Sequence, residues 1–184
     1  MVVNHGGNWD LAGAWAAVTY GSVTTVAERL KPEGLFEQFL DYRRSLGMEI
    51  LPLGDPSTFR GLAERLSKGG LVALVGDRDI SRNGVRVDLL GQPASLPAGP
   101  ALLAQLTGAP LYPVTLWFED RKAVGTIGER ILVPDLPERE ERTLAITQSI
   151  ADAFGQGLRE HAVDWHMLQP VWVADLRPRE EKDS

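Results

Sequence analysis

"LVALVGDRDIS", residues 71 to 81, decides the architecture. Five consecutive apolar residues run into a glycine and then into "GDRDISRNG" (76–84), a polar stretch with charges at Asp77, Arg78, Asp79 and Arg82. A run this short and this uniformly apolar reads as a strand buried on both faces of a sheet. In α/β proteins ligands gather at the carboxyl ends of such strands, so the charged loop is a first candidate for chemistry.

The same alternation extends in both directions. Upstream, "MVV" (1–3) reads as a short strand, Trp9 to Tyr20 as a helix, and "SVTTVAE" (22–28) as a strand. "PEGLFEQFLDYRRSLG" (32–47) reads as a helix with Pro32 near its start and Gly47 just beyond its end. "MEILPL" (48–53) follows as a strand. A helix carrying Phe59, Leu62, Ala63 and Leu66 is then capped by Asp55 or Ser57 and closed by "KGG" (68–70).

Downstream, "VRVDLLG" (85–91) alternates as a strand, "PAGPALLAQLTG" (97–108) is a helix of small residues, and "PLYPVTLWF" (110–118) returns as a strand. A strand pair is expected over 122–133, a long amphipathic helix over 138–161, and a frayed end at "REEKDS" (179–184). The predicted fold is therefore α/β: a single domain with a central, mostly parallel sheet flanked by helices.

Bulk composition narrows the function. The chain has 184 residues, 43% hydrophobic and 24% charged, enough for one buried core. A formal net charge of −6 argues against non-specific nucleic-acid binding, which relies on neutralising phosphates. The absence of cysteine excludes disulfides, thiolate metal sites and cysteine nucleophiles, and suits a reducing, cytosolic compartment. No apolar run reaches the ~18 residues of a spanning helix, so contact with a membrane is expected to be peripheral.

A second candidate lies at the N-terminal end, in "NHGGNWD" (4–10). Five steps along an α-helix turn about 500°, which leaves His5 and Asp10 about 140° apart if both lie within one helix. They can meet only if His5 stands on the loop, with Gly6 and Gly7 permitting a tight turn, and Asp10 reaches back from the first helical turn. A carboxylate on one ring nitrogen would fix the tautomer and leave the other as a base. The competing reading is that Asn8 or Asp10 caps the helix and His5 is an ordinary loop residue.

Alternatives also stand for the loop after Val75. Asp77 and Asp79 could form a D-x-D metal clamp on a nucleotide-sugar diphosphate or orient His5, and Arg78, Arg82 and Arg86 could hold a phosphate. A solvated, salt-bridged loop is the bland reading of the same charges. Arg43 and Arg44 end a helix, where cations are favoured anyway. His166, in "DWHMLQPVW" (164–172), is expected to pack against the core with its aromatic neighbours, and His161 to sit in a helix's last turn.

Taken together, H-x4-D ahead of a helix, a strand ending in "GDRD", and "RVDLLGQPASLPAGPALLAQLTGAPLYPVTL" (86–116) resemble the bacterial lipid acyltransferases of the lipid A lauroyl type, within the wider glycerolipid acyltransferases. The tail "VDWHMLQPVWVADL" (163–176) and the loop "GDRDISRNGV" (76–85) look most like the phosphatidylinositol mannoside acyltransferases of actinobacteria. The resemblance implies a glycerolipid-acyltransferase-like fold, with an acyltransferase domain over 1–176 and a disordered tail over 177–184. It also implies a helical region ahead of the H-x4-D motif in the family, so that the domain is expected to be shortened at its N-terminal side.

By the same resemblance the enzyme moves a fatty acyl group from acyl-CoA to a sugar hydroxyl of a mannosylated phosphatidylinositol, working peripherally at the cytoplasmic face of the membrane. His5 matches the base. Asp77 or Asp79 matches a carboxylate placed beside it, sharing that task with Asp10, and Arg43 matches a basic position near the acceptor or acyl-CoA pocket. No cofactor or metal is implied beyond acyl-CoA as co-substrate. The oxyanion is expected to meet backbone N–H groups near Gly6 and Gly7, or Arg78. The D-x-D reading predicts a metal-dependent glycosyltransferase instead, and a non-catalytic acyl-CoA or lipid-binding module is the third possibility.

Overall fold

The computed structural model describes residues 1–80 and 83–176. Arg82 and the tail 177–184 therefore lie outside the described residues. In chain order the elements are β1 (Val2–Val3), α1 (Trp9–Tyr20), β2 (Val23–Ala27), α2 (Glu33–Ser45), β3 (Met48–Pro52), α3 (Thr58–Ser67), β4 (Leu71–Val72) and β5 (Leu74–Val75). They continue with β6 (Val85–Leu89), β7 (Gln92–Leu96), α4 (Gly99–Thr107), β8 (Pro113–Glu119), β9 (Lys122–Ile127) and α5 (Arg139–His161). The result is the predicted α/β domain with a mixed, mostly parallel sheet.

The run 71–75 is not one uniform strand. β4 pairs in parallel with β2, which in turn pairs with β3. β5 pairs with β1, and β1 continues to β8 and the antiparallel β9. Between the two ladders the backbone keeps its hydrogen bonds: Ala73 N donates to Thr24 O, Leu74 N to Met1 O, and Gly76 N to Val3 O. One extended segment thus seams two ladders into a single twisted surface in the order β3-β2-β4/β5-β1-β8-β9.

Nor is this segment buried on both faces. Val72 is buried, whereas Leu71, Ala73, Leu74 and Val75 are only partly covered. One face packs normally. Val72 joins Leu62 and Leu103, with Leu74 alongside, while Val2 belongs to the main core with Leu89, Leu96, Ile146, Ile150 and Phe154. That core is built by the amphipathic α5, whose buried stripe of Thr143, Ile146, Thr147, Ile150, Phe154 and Leu158 follows the helical period. On the opposite face Leu71, Ala73 and Val75 line a cavity.

Two downstream expectations change. Residues 92–96, which carry no strand signal strong enough to stand out, form β7 and pair antiparallel with β6. The turn between them puts Leu90 (φ 59°) and Gly91 (φ 81°) both in the left-handed region, a two-residue geometry that matches strand twist. Asp88 supports the turn by accepting from Gly91 N at 2.8 Å. The strand pair expected over 122–133 is β9 alone, followed by a single bridge between Leu111 and Ile131.

Candidate active site

Asn8 caps α1, its Oδ1 accepting from Leu11 N at 2.9 Å. His5 therefore lies outside the helix, on the short link between β1 and α1. Neighbouring strand β5 ends at Val75, and Gly76 turns the chain so closely past β1 that a Cβ there would run into Val2. This brings Asp77 to His5 across 72 residues of sequence.

Asp77 is fully buried, and both of its carboxylate oxygens are occupied. Oδ1 lies 2.6 Å from His5 Nδ1, and Oδ2 accepts from the His5 backbone N–H and the Trp165 indole N–H, each at 2.8 Å. A carboxylate on Nδ1 fixes that nitrogen as the protonated one and leaves Nε2 to accept a proton. The imidazole is 21% exposed, so it is held without being sealed.

Asp10 does not reach His5. Its carboxylate turns the other way, accepting from Arg43 Nε at 2.7 Å, with a second, longer contact of 3.5 Å to the same guanidinium. The geometric reason is the helix. Asp10 is the second residue of α1, and its side chain projects towards the last turn of α2, where Arg43 offers a fixed fork of donors. The H-x4-D spacing thus holds two different pairs, His5 with Asp77 and Asp10 with Arg43.

The remaining predicted residues separate as well. Asp79 accepts from Gly84 N at 2.7 Å and Ser95 Oγ at 3.0 Å, fastening its loop to β7 rather than reaching His5. Arg78 lies 3.5 Å from Glu28, and Arg86 is exposed on β6. Asp77 and Asp79 do not present a shared D-x-D clamp, because the oxygens of Asp77 are spent on His5 and Trp165 and Asp79 is turned to its own loop.

The glycines do more than permit a turn. A Cβ on Gly6 would stand 2.5 Å from Leu116 O, and one on Gly7, at φ 50°, would stand 2.8 Å from Trp117 N. The loop lies flat on β8, where only hydrogen fits. On its other side runs the segment after α5: His166 N donates to His5 O at 2.7 Å and Gly7 N donates to Asp164 O at 3.0 Å. The Gly7 N–H is consequently committed within the fold and does not face a reacting oxyanion. Beside Gly6 the fully enclosed Asn4 Oδ1 has no hydrogen-bond partner among the described residues.

Trp165 is the residue that sequence reading missed. Its signal was present in the "DWHMLQPVW" stretch, since a buried Trp needs a partner for its indole N–H. His166, by contrast, is exposed and contributes its backbone and an edge contact to Trp9 at 6.4 Å. His161 stacks on Trp117 with ring centroids 4.1 Å apart.

A cavity of about 520 Å³ opens beside this cluster. Its polar end is Asn8, Asp10 and Arg43, and its walls are apolar, among them Val3, Trp15, Ala73, Val75, Leu116 and Ile127. His5 stands just behind Trp9, which lines the cavity and meets the imidazole edge-on at 5.4 Å. An apolar chamber with a few convergent polar groups suits a ligand with a long hydrocarbon part and a polar head. No helix among the described residues is long and apolar enough to cross a membrane.

Residues 1–174 match the family model described as bacterial lipid A biosynthesis acyltransferase. The chain belongs to that family. Within it, the chain is 48% identical over 178 residues to the phosphatidylinositol mannoside acyltransferase of Mycobacterium tuberculosis (strain H37Rv), covering 96% of this chain and 55% of that protein. The protein of the same name from Mycolicibacterium smegmatis is also 48% identical over 178 residues, with 57% of its length covered. This member of the family spans a little over half the length of those relatives.

Proposed function

We propose that this chain carries the catalytic half of an acyltransferase that moves a fatty acyl group from acyl-CoA to a sugar hydroxyl of a mannosylated phosphatidylinositol. The observation that carries the reading is the His5–Asp77 pair standing beside a large apolar cavity with a polar rim. Family membership and the printed names of the relatives support the reaction class and the acceptor.

In this reading Nε2 of His5 removes the proton from the acceptor hydroxyl as its oxygen attacks the thioester carbonyl. The tetrahedral intermediate then collapses, the C–S bond breaks, and the imidazolium returns the proton to the leaving thiolate. Asp77 holds the ring in the productive tautomer and balances the charge that develops on it. The acyl chain lies along the apolar walls, while Arg43, steadied by Asp10, faces the anionic part of donor or acceptor. The enzyme works peripherally at the cytoplasmic face of the membrane, and acyl-CoA is a co-substrate rather than a resident cofactor.

The test is transfer of labelled acyl groups from acyl-CoA to a panel of lipid acceptors that includes phosphatidylinositol mannosides. His5→Ala is expected to lower the rate by about a hundredfold to ten-thousandfold, the range of general-base catalysis. A chelator is expected to leave it unchanged. Retention of most of the rate in His5→Ala, or acyl-CoA binding without transfer to any acceptor, would end the proposal.

A further inference from the structure

We infer that Trp165 is a positioning residue for the His5–Asp77 pair, and that the segment Asp164–His166 is the clasp through which it acts. The inference rests on the reading of His5 as a base but concerns a residue that neither the H-x4-D motif nor the strand-end loop contains. Three separate hydrogen bonds support it, all converging on one small volume.

The first is the indole N–H of Trp165 on Asp77 Oδ2 at 2.8 Å. The terminal torsion of an Asp carboxylate is intrinsically broad, so the donors that meet its oxygens are what set its orientation. Here Oδ2 is pinned by two N–H groups, so that Oδ1 is left facing His5 Nδ1 at 2.6 Å. The other two bonds fix the loop itself: His166 N donates to His5 O, and Gly7 N to Asp164 O, with Gly6 and Trp165 in an antiparallel bridge between them. The histidine and its carboxylate are thus held by the same three consecutive residues, one through the backbone and the other through a side chain.

The clasp is itself anchored. Asp164 Oδ2 accepts from Phe118 N at 3.2 Å, and Trp165 meets Trp172 edge-on at 5.9 Å. Three residues before the clasp, at the end of α5, His161 stacks on Trp117 of β8. The C-terminal segment is therefore bound to the strand on which the His5 loop rests, and cannot shift without moving that loop. Trp165 touches Asp77, not the imidazole, and acts through it. An aromatic residue without an N–H would fill the same space yet leave Oδ2 with one donor fewer.

The test uses the intact chain and Trp165→Phe, which keeps an aromatic ring against Trp172 while removing the donor. The first readout is the proton NMR signal of the His5 Nδ1–H, assigned among the chain's three histidines by its loss in His5→Gln. In Trp165→Phe it is expected to move and to exchange faster with water. The second is steady-state acyl transfer, where kcat is expected to fall about tenfold while KM for acyl-CoA stays within a factor of two. Leu168→Ala, just beyond the clasp at a side chain that is 94% exposed, is expected to leave both readouts unchanged.

An unmoved Nδ1–H signal in Trp165→Phe overturns the inference, even if His5→Ala abolishes transfer and the proposed function stands. A moved signal in a chain that transfers no acyl group sustains the positioning role while the proposed function falls. Should Trp165→Phe not fold, Asp77→Asn gives the reciprocal measurement. The Trp165 indole N–H resonance must then move, and its constancy overturns the inference.

Discussion

The two faces of the central sheet contrast sharply although the same strands supply both. On one face Val2, Val72 and Leu74 meet α3, α4 and α5 and help close the core. On the other, Val3, Ala73 and Val75 alternate with them and look into the cavity, covered by α1 and β9. Apolar residues one position apart thus have opposite tasks. Burial on the first face stabilises the fold, whereas incomplete burial on the second leaves room for an apolar guest.

The sharpest way to break the contrast is on the filled face. Phe154→Ala removes a wholly enclosed ring from the main core and is expected to cost about 4 kcal/mol, read from chemical denaturation. Val75→Ala, on the cavity side, is expected to cost about 1 kcal/mol in the same experiment, because the side chain is already only partly packed. Similar losses at the two positions would show that the cavity face is as tightly packed as the core.

Between the faces stands the glycine loop. Gly7→Ala forces a Cβ against the backbone of Trp117 at a positive φ, and is expected to cost about 2 kcal/mol and to displace His5. The measurement is thermal unfolding together with the His5 Nδ1–H signal. A variant as stable as the parent, with that signal in place, would mean the loop does not depend on contact with β8.

A smaller effect separates the two carboxylates. Asp10→Asn weakens the ion pair with Arg43 and is expected to cost at most about 1 kcal/mol of stability, without moving the Nδ1–H signal of His5. It should instead raise KM for the acyl donor or acceptor, since Arg43 lies on the cavity wall. On the same wall Ala73→Phe is expected to depress acyl-CoA binding by filling the cavity and to cost about 1 kcal/mol of stability, because Ala73 also packs against a buried cluster that includes Ala16, Val23 and Met48.

The smallest effect concerns the outer edge of the sheet, where Arg65 holds Glu49 below its ordinary titration value of 4.5 through hydrogen bonds at 2.9 Å and 2.5 Å. A carboxylate depressed on folding contributes stability above its unfolded value and loses it as pH falls through the folded one. The stability difference between the parent and Arg65→Ala should accordingly be present at neutral pH and shrink below pH 4.5. A difference independent of pH would assign the loss to packing of the arginine stem.

Most elements were legible because their signals are local. Asn8 ahead of α1, Pro100 at the start and Gly108 beyond the end of α4, and the stripe of α5 each depend on residues a few positions apart. β7 was not, since its strand character comes from pairing with β6 through a Leu-Gly turn that lacks the usual Asn or Asp. The split of 71–75 between two ladders likewise cannot be written in five apolar residues, which look the same whichever neighbour they join.

At the site, residue type was legible and partnership was not. The sequence by itself determined that a histidine followed by two glycines precedes a capped helix, that an apolar extended run ends in carboxylates, and that the chain follows the pattern of its family. Only the tertiary structure decided that His5 takes Asp77, that Asp10 takes Arg43, and that Trp165 closes the set. Spacing along a helix constrains neighbours within a few residues, whereas a carboxylate's partner is whichever donor the fold delivers within hydrogen-bond reach, here from residues 72 and 88 positions away.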